Sequence, residues 1–476
     1  MCTKSEYDNF INESEIWQTI KNSQKREKQE VRDIFQKAET ASGLNIYEAS
    51  VLLNIDEIEL EAELFELAKR VKEKIYGNRI VIFVPLYITN KCSNICEYCG
   101  FRADNKKLQR KTLDYTEIQE EVGILLNQGH KRILAVYGET VHYTVDHMVE
   151  SIDAIYTASS KALNKDTNLC HQIRRVNVNA APMSVNDFKK LQSSQIGTYQ
   201  CFQETYHKAT YERVHIAGAK KDYFWRLNAL HRAQEAGIDD VAMGVLYGLF
   251  DPHFETLAML KHAEELERVF KVGPHTISFP RLEPASGSEM SKHPPYLIPD
   301  NLLKKIVAVL RLAVPYTGLI LSTRETAELR KELIHLGVSQ ISAGSKTSPG
   351  SYHEKDINVP DSQQFTIGDE RPLDDVIYDL ATMDYIPSFC TACYRLGRHG
   401  KSFMDMAKNL HIKSFCQPNA ILTFAEYIED FSSDRTKKAG YIMIDKLVEN
   451  LGSIDIKNVV RKELLEIKNG TRDLYH

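Results

Sequence analysis

Residues 80–101 read IVIFVPLYITNKCSNICEYCGF, an apolar run that breaks into a loop carrying three cysteines. The run 80–88 is rich in β-branched and aromatic residues and bounded by polar turn-formers. It is far too short to span a membrane and reads as a buried strand. The loop places Cys92, Cys96 and Cys99 with gaps of three and then two residues. A closed zinc site takes four protein ligands. Three thiolates on one loop instead suit a cubane iron–sulfur cluster in which one iron lacks a cysteine and stays open to a substrate or cofactor. The competing reading is three core or zinc-binding cysteines.

The strand texture recurs. Seven more apolar runs follow, at 132–138, 174–180, 197–204, 240–248, 275–281, 318–324 and 338–345. Between them lie amphipathic helical patterns such as TEIQEEVGILLNQG and HFETLAMLKHAEELERVF, and several such patterns close on glycine. Eight strands alternating with helices over about 270 residues predict an α/β fold, a (β/α)8 TIM-type barrel. A doubly wound open sheet is the alternative, weakened because the sequence has no Gly-rich dinucleotide turn. Barrels work at the C-terminal ends of their strands, so the loop after the first strand puts the three cysteines on the functional face. Residues 1–78 read as an N-terminal extension of charged amphipathic helices, and 79–346 as the barrel. Residues 347–476 read as a C-terminal cluster-binding region, an exposed linker or lid at first and helical from 373 onward.

The 476 residues are 43% hydrophobic and 26% charged, with a net charge of −5. That balance is ordinary for a soluble globular protein and gives no support to a nucleic-acid partner. The polar, acidic N-terminal stretch is neither a signal peptide nor a transit peptide, and no run is long enough to cross a membrane. A cytoplasmic location without a membrane partner is therefore expected, where nine cysteines are reduced or metal-bound. Six of them fall into two spaced groups. The second group is Cys390, Cys393 and Cys416, a Cx2C pair and a third cysteine after twenty-two further residues. Three ligands again leave one iron open and read as a second cluster. A zinc site completed by His399 or His411, or unligated thiols, are the alternatives.

CSNICEYC resembles the signature of the radical S-adenosylmethionine (SAM) enzymes. The resemblance implies a 4Fe–4S cluster whose open iron chelates the amino and carboxylate groups of SAM. An electron from the cluster then yields methionine and a hydrogen-abstracting 5′-deoxyadenosyl radical. Gly138 and Glu139 in YGET resemble the second-strand motif that binds the SAM amino group, though an ordinary turn would look the same. Glu204 in CFQETYH resembles a strand-four glutamate aimed at SAM, and Arg226 resembles the arginine that forks onto the SAM carboxylate. A solvated surface arginine is the bland reading of Arg226. Cys201 reads as a packed barrel residue.

Together with the barrel pattern and the Cx2Cx22C group, segments such as RRVNVN, FQETYH, VGPHTIS, LSTRE and CTACYR resemble the tyrosine lyases of FeFe-hydrogenase maturation along nearly the whole chain. That resemblance implies cleavage of L-tyrosine to p-cresol and dehydroglycine at the first cluster. At the auxiliary cluster dehydroglycine would then become carbon monoxide and cyanide, ligands of an extra iron. It implies Arg324, beside Ser322 and Thr323, as the clamp on the tyrosine carboxylate, and His275 as a ligand of the extra iron. It also implies an electron donor such as ferredoxin or flavodoxin, and other hydrogenase maturation proteins as partners. The clusters are expected at opposite ends of the barrel, joined by an interior passage lined with small polar residues. Ser351 stands where the family pattern has a second glycine, and YGETVHY and the insertion SSKALNKDTNLC (159–170) also depart from it. Two other readings remain open: a lyase of the thiazole-pathway kind that releases dehydroglycine, and a non-catalytic iron–sulfur scaffold.

Overall fold

Strand β1, Arg79–Thr89, is buried along nearly its whole length, as its near-continuous run of Ile, Val, Phe, Leu and Tyr dictates. In the computed structural model, which describes residues 9–24, 26–161, 170–353 and 362–476, seven further strands of the barrel follow it. They are β2 (Arg132–Tyr137), β3 (Arg175–Asn179), β4 (Tyr199–Gln200), β5 (Val241–Gly244), β6 (Thr276–Ser278), β7 (Gly318–Leu321) and β8 (Gln340–Ser342). Each pairs in parallel with the next, and β8 returns to β1 through Val81↔Gln340, Ile82↔Ile341 and Phe83↔Ser342. The sheet closes, so the eight apolar runs are the eight strands of a barrel and the open doubly wound sheet is excluded. Strand β4 is shorter than its run because Glu204 adopts a left-handed backbone (φ 71°) and meets β5 only through a single bridge to Val245. Residues 162–169 of the insertion and 354–361 of the polar stretch lie outside the described residues.

Helices α1 (Glu13–Ser23), α2 (Lys28–Glu39), α3 (Ile46–Leu53) and α4 (Ile58–Tyr76) precede the barrel. Helix α2 buries Val31, Ile34, Phe35 and Ala38, the three- and four-residue steps of an amphipathic face. Asn45 and Glu48 close a capping box at the start of α3. Helix α4 stops at Gly77 (φ 66°) and feeds directly into β1. After the barrel, a ninth strand, β9 (Ile386–Ser388), pairs in parallel with Arg79–Val81 at the foot of β1, inside a stretch expected to be helical. The helix Ile412–Asp430 packs against β9, α4 and the two helices that follow it. Among the described residues no helix is long and apolar enough to cross a membrane.

The polar stretch after β8 is not an exposed linker where it is described. It folds back over the upper mouth: the Gly100 amide donates to the Gln364 carbonyl (3.1 Å), Gln364 to Thr347 (3.0 Å) and Gly368 to Thr323 (2.8 Å). Side chains alternate along a strand, so one parity of each strand fills the interior. Phe83, Tyr87, Leu134, Val136 and Ile320 form an apolar wall from β1, β2 and β7. The wall across from it is polar, with Asn179, Gln200 and Ser278 from β3, β4 and β6, and Ser342 of β8 adds a polar group beside Phe83.

Candidate active site

The loop after β1 is held from outside and across. Arg110 donates to the carbonyls of Asn90 and Phe101 (both 2.8 Å) and Arg102 (2.5 Å), clamping both ends of the loop. Ile95–Cys96 forms a two-residue antiparallel pairing with His215–Ala217, tying the loop to the segment after β4. Cys92, Cys96 and Cys99 line a cavity of about 230 Å³ at the C-terminal ends of the strands. The same cavity is lined by Gly138, Glu139, Glu204, Arg226, Ser322, Thr323 and Arg324, so the fold brings together every residue expected there. Burial pushes the Cys96 thiol up to about 12, so ionisation there requires a cation to pair with it.

Gly138 has no room for a side chain: a Cβ would lie 2.4 Å from the Lys91 carbonyl oxygen. That close approach brings the end of β2 against the cysteine loop, where the Ser93 amide donates to the Glu139 carbonyl (2.7 Å). Asn94 Nδ2 donates to Glu139 Oε2 (2.7 Å) and lies 3.7 Å from Cys92 Sγ. Glu204 meets Lys220 Nζ at 2.6 Å and the Arg226 guanidinium at 3.6 Å. Burial opposes its charge, but Lys220 and Arg226 outweigh burial and hold its carboxyl below the usual range. Arg226 Nε donates to the Phe202 carbonyl (2.6 Å), which fixes the guanidinium at the cavity wall.

Arg324 stacks on Phe365, its guanidinium carbon 3.3 Å from the ring centroid. Burial lowers its pKa, and the neighbouring Glu325 is engaged by Arg281 instead, so Arg324 keeps its polar edge for a ligand. Gln364 reaches down from the covering segment. It accepts from Tyr87 Oη (2.8 Å) and sets its amide nitrogen 3.8 Å from Cys99 Sγ.

The second thiol group lies at the other end of the barrel. Cys390 follows β9, Cys393 sits in the short helix Ala392–Arg395, and Cys416 in Ile412–Asp430. They line a smaller cavity of about 50 Å³ with Arg79, Arg132, Asp240, His275, Tyr394 and Arg398. Arg79, Val81, Gly318 and Gln340, from the first residues of their strands, mark this as the lower mouth. Burial works against the Arg79 charge, but the sulfurs of Cys416, Cys390 and Cys393 outweigh it. A hydrogen bond from Cys393, with help from Arg79 and Arg398, offsets burial and holds the Cys416 thiol down to about 6. His275 Nδ1 lies 3.3 Å from Asp240 Oδ1, and the Gly400 amide donates to the same oxygen (3.0 Å). A carboxylate behind an imidazole fixes the ring, as it does behind metal-bound histidines.

The donor sets fit iron–sulfur clusters. Above, three thiols share one cavity and two of them face side-chain amides. Below, three thiols face Arg79 Nε, a buried nitrogen with no hydrogen-bond partner, and a charged group rich in sulfur would answer it. Neither histidine expected to complete a zinc site lines the lower cavity: His399 Nδ1 pairs with Asp239 (2.8 Å), and His411 is exposed at a helix start. Among the described residues no three His, Cys, Asp or Glu side chains lie close enough to share one metal ion. Lys220, Gln364 and Arg79 carried no sequence signal. Asn94 did, since it stands between the cysteines of the motif.

Residues 86–263 match the radical SAM superfamily, and residues 278–386 match the biotin and thiamin synthesis associated domain. Over 311 residues the chain is 32% identical to 2-iminoacetate synthase of Escherichia coli (strain K12), covering 65% of this chain and 77% of that protein. It is similar to the crystal structure of HydG, a maturase of the FeFe-hydrogenase, with 47% identity and a TM-score of 0.93, covering 98% of this chain and 100% of that one. It is also similar to the FeFe-hydrogenase maturase HydG from Carboxydothermus hydrogenoformans, with 39% identity and a TM-score of 0.82, covering 95% and 97%. Coverage that high takes in the region of the lower thiols as well as the barrel, and on that ground this chain belongs to the HydG maturase family of the radical SAM superfamily.

Proposed function

We propose that this protein is a radical SAM tyrosine lyase that serves FeFe-hydrogenase assembly. It cleaves the Cα–Cβ bond of L-tyrosine to p-cresol and dehydroglycine, and carries dehydroglycine on to carbon monoxide and cyanide as iron ligands. The observation that supports it most is the pair of thiol triads at opposite mouths of one barrel with a polar interior wall between them.

Cys92, Cys96 and Cys99 would hold the first cluster, and Cys390, Cys393 and Cys416 the second. When bound, the first cluster and SAM supply the 5′-deoxyadenosyl radical. The chain's own residues bind and orient. Glu139, fixed by Asn94, faces the SAM ammonium. Lys220 is nearer to Glu204 than Arg226 is and takes that pairing, which frees part of the Arg226 fork for the SAM carboxylate. Arg324, held flat on Phe365 with Ser322 and Thr323 beside it, receives the tyrosine carboxylate. The segment 362–369 closes the mouth and keeps water from the radical. Below, His275 on its Asp240 support is oriented to ligate the extra iron, which is substrate here and not a resident cofactor. An electron donor such as ferredoxin or flavodoxin and other maturation proteins complete the reading, in the cytoplasm.

The test is an anaerobic turnover of reconstituted protein with reductant, SAM and L-tyrosine, assayed for p-cresol and for carbon monoxide trapped by haem. Both products are expected, and Cys393→Ala should keep p-cresol and lose carbon monoxide. p-Cresol alone would move the function to release of dehydroglycine, the reading that the 2-iminoacetate synthase relatives support. Neither product, with SAM intact, refutes both readings.

A further inference from the structure

Residues 471–476 lie at the surface without regular secondary structure, yet they are bonded along their length. Arg472 forks onto Asp430 (2.5 and 2.7 Å). The Asp473 amide donates to Glu426 Oε1 (2.6 Å), and its carboxylate meets Arg174 (3.0 Å) and Arg395 (2.8 Å). His476 pairs with Asn419 in both directions, amide to Oδ1 (2.8 Å) and carbonyl from Nδ2 (3.0 Å). The same carbonyl accepts from Arg398 (2.7 Å). Asp473 holds a left-handed backbone (φ 68°), which turns the chain between the Glu426 and Asn419 contacts.

The partners form a pattern. Asn419, Glu426 and Asp430 follow Cys416 at steps of three, seven and four residues, one face of the helix Ile412–Asp430. The segment runs antiparallel along that face. Two further partners, Arg395 and Arg398, lie two and five residues after Cys393, and Arg398 also lines the lower cavity beside the three thiols. The two elements that carry the lower thiols are thus bridged by residues 473–476. We infer that residues 473–476 are a strap that positions Cys393, Cys416 and Arg398 and so retains the second cluster. They touch no substrate and act through these three residues. The inference rests on the second-cluster reading above.

The test uses the full chain, reconstituted anaerobically, in two forms: Asp473→Ala, and removal of residues 473–476. Arg472 is kept in both, so the buried Asp430 carboxylate retains its partner and the helix is not left with an unpaired charge. Iron and sulfide per chain, the spectrum of the second cluster, p-cresol formation and melting temperature are read together, with Cys393→Ala as reference. Removal of the strap is expected to bring iron down to the Cys393→Ala level while p-cresol formation stays at the parent rate. Asp473→Ala should fall between the two and shift the second cluster's spectrum. Parent iron content and an unshifted spectrum in both forms would overturn the strap. So would a loss of iron matched by an equal loss of p-cresol and a large drop in melting temperature, which would make the segment a general support of the fold. If Cys393→Ala itself keeps parent iron, the second-cluster reading falls, and the strap with it.

Discussion

Gly138→Ala tests whether the upper site depends on contact between the end of β2 and the cysteine loop. The added Cβ would stand 2.4 Å from the Lys91 oxygen, 3.1 Å from the Lys91 carbonyl carbon and 3.2 Å from the Thr89 oxygen. All three are backbone atoms, so no side chain can swing away. Ordinary contact begins near 3.4 Å, so the segment must retreat by about 1 Å (3.4 − 2.4). The Gly138 amide is bonded to Thr89 (2.8 Å), which anchors the strand side. What gives way is Lys91, and Cys92 moves with it. Overpacking of this kind costs about 1–3 kcal/mol of stability. A misplacement of about 1 Å between catalytic partners costs on the order of 100-fold in rate. The variant should therefore load its cluster, melt slightly lower, bind SAM weakly and form p-cresol on the order of 100-fold more slowly. Iron content, SAM titration and anaerobic p-cresol formation measure these in turn. Parent-like SAM affinity and p-cresol rate in a folded, loaded Gly138→Ala protein would refute the reasoning.

Lys220→Met leaves Glu204 buried with Arg226 alone at 3.6 Å, and should cost about 3 kcal/mol of stability by chemical denaturation and raise the KM for SAM. Gly318→Val places bulk between the lower cavity and the interior, where a Cβ already meets Gln340 Nε2 at 2.8 Å. Carbon monoxide yield should fall while p-cresol holds, and an unchanged ratio of the two would count against an interior passage. Burial pushes the Glu255 carboxyl up to about 8, so the folded chain keeps a proton that the unfolded chain gives up. Its contribution to stability is complete below the unfolded carboxyl range and is lost as pH rises through about 8. Melting temperature should fall across that window, and Glu255→Gln should flatten the fall.

The barrel was legible because strands and helices are written locally, in period two, in three- and four-residue steps and in the residues that break them. The cysteine groups were legible for the same reason: Cys92, Cys96 and Cys99 share one loop. What joins them was not. Gln364 meets Cys99 across 265 residues, and nothing around Gln364 marks it as more than a polar residue in a turn-rich stretch. Lys220 looks like one of two surface lysines until Glu204 is seen to bury it. Arg79 opens the first strand as a charged residue beside an apolar run, and only the arrival of β9 and the helix Ile412–Asp430 shows that three sulfurs face it. Strand β9 was missed because three residues, one of them proline, take their strand character from β1 and not from their own sequence.

Strand β1 carries Arg79 at one mouth and runs into the Cys92 loop at the other. Eleven residues at about 3.3 Å each make this one rigid element roughly 35 Å long, and its tilt in the barrel brings the two proposed chemistries nearer than that length. Dehydroglycine is an imine that water hydrolyses, so in the proposed reaction each molecule formed faces a choice between transit through the barrel and escape to solvent. The ratio of carbon monoxide to p-cresol is then a commitment to transit, a property of the single molecule. It should stay constant as the enzyme is diluted, and an added scavenger of free imine should leave it untouched.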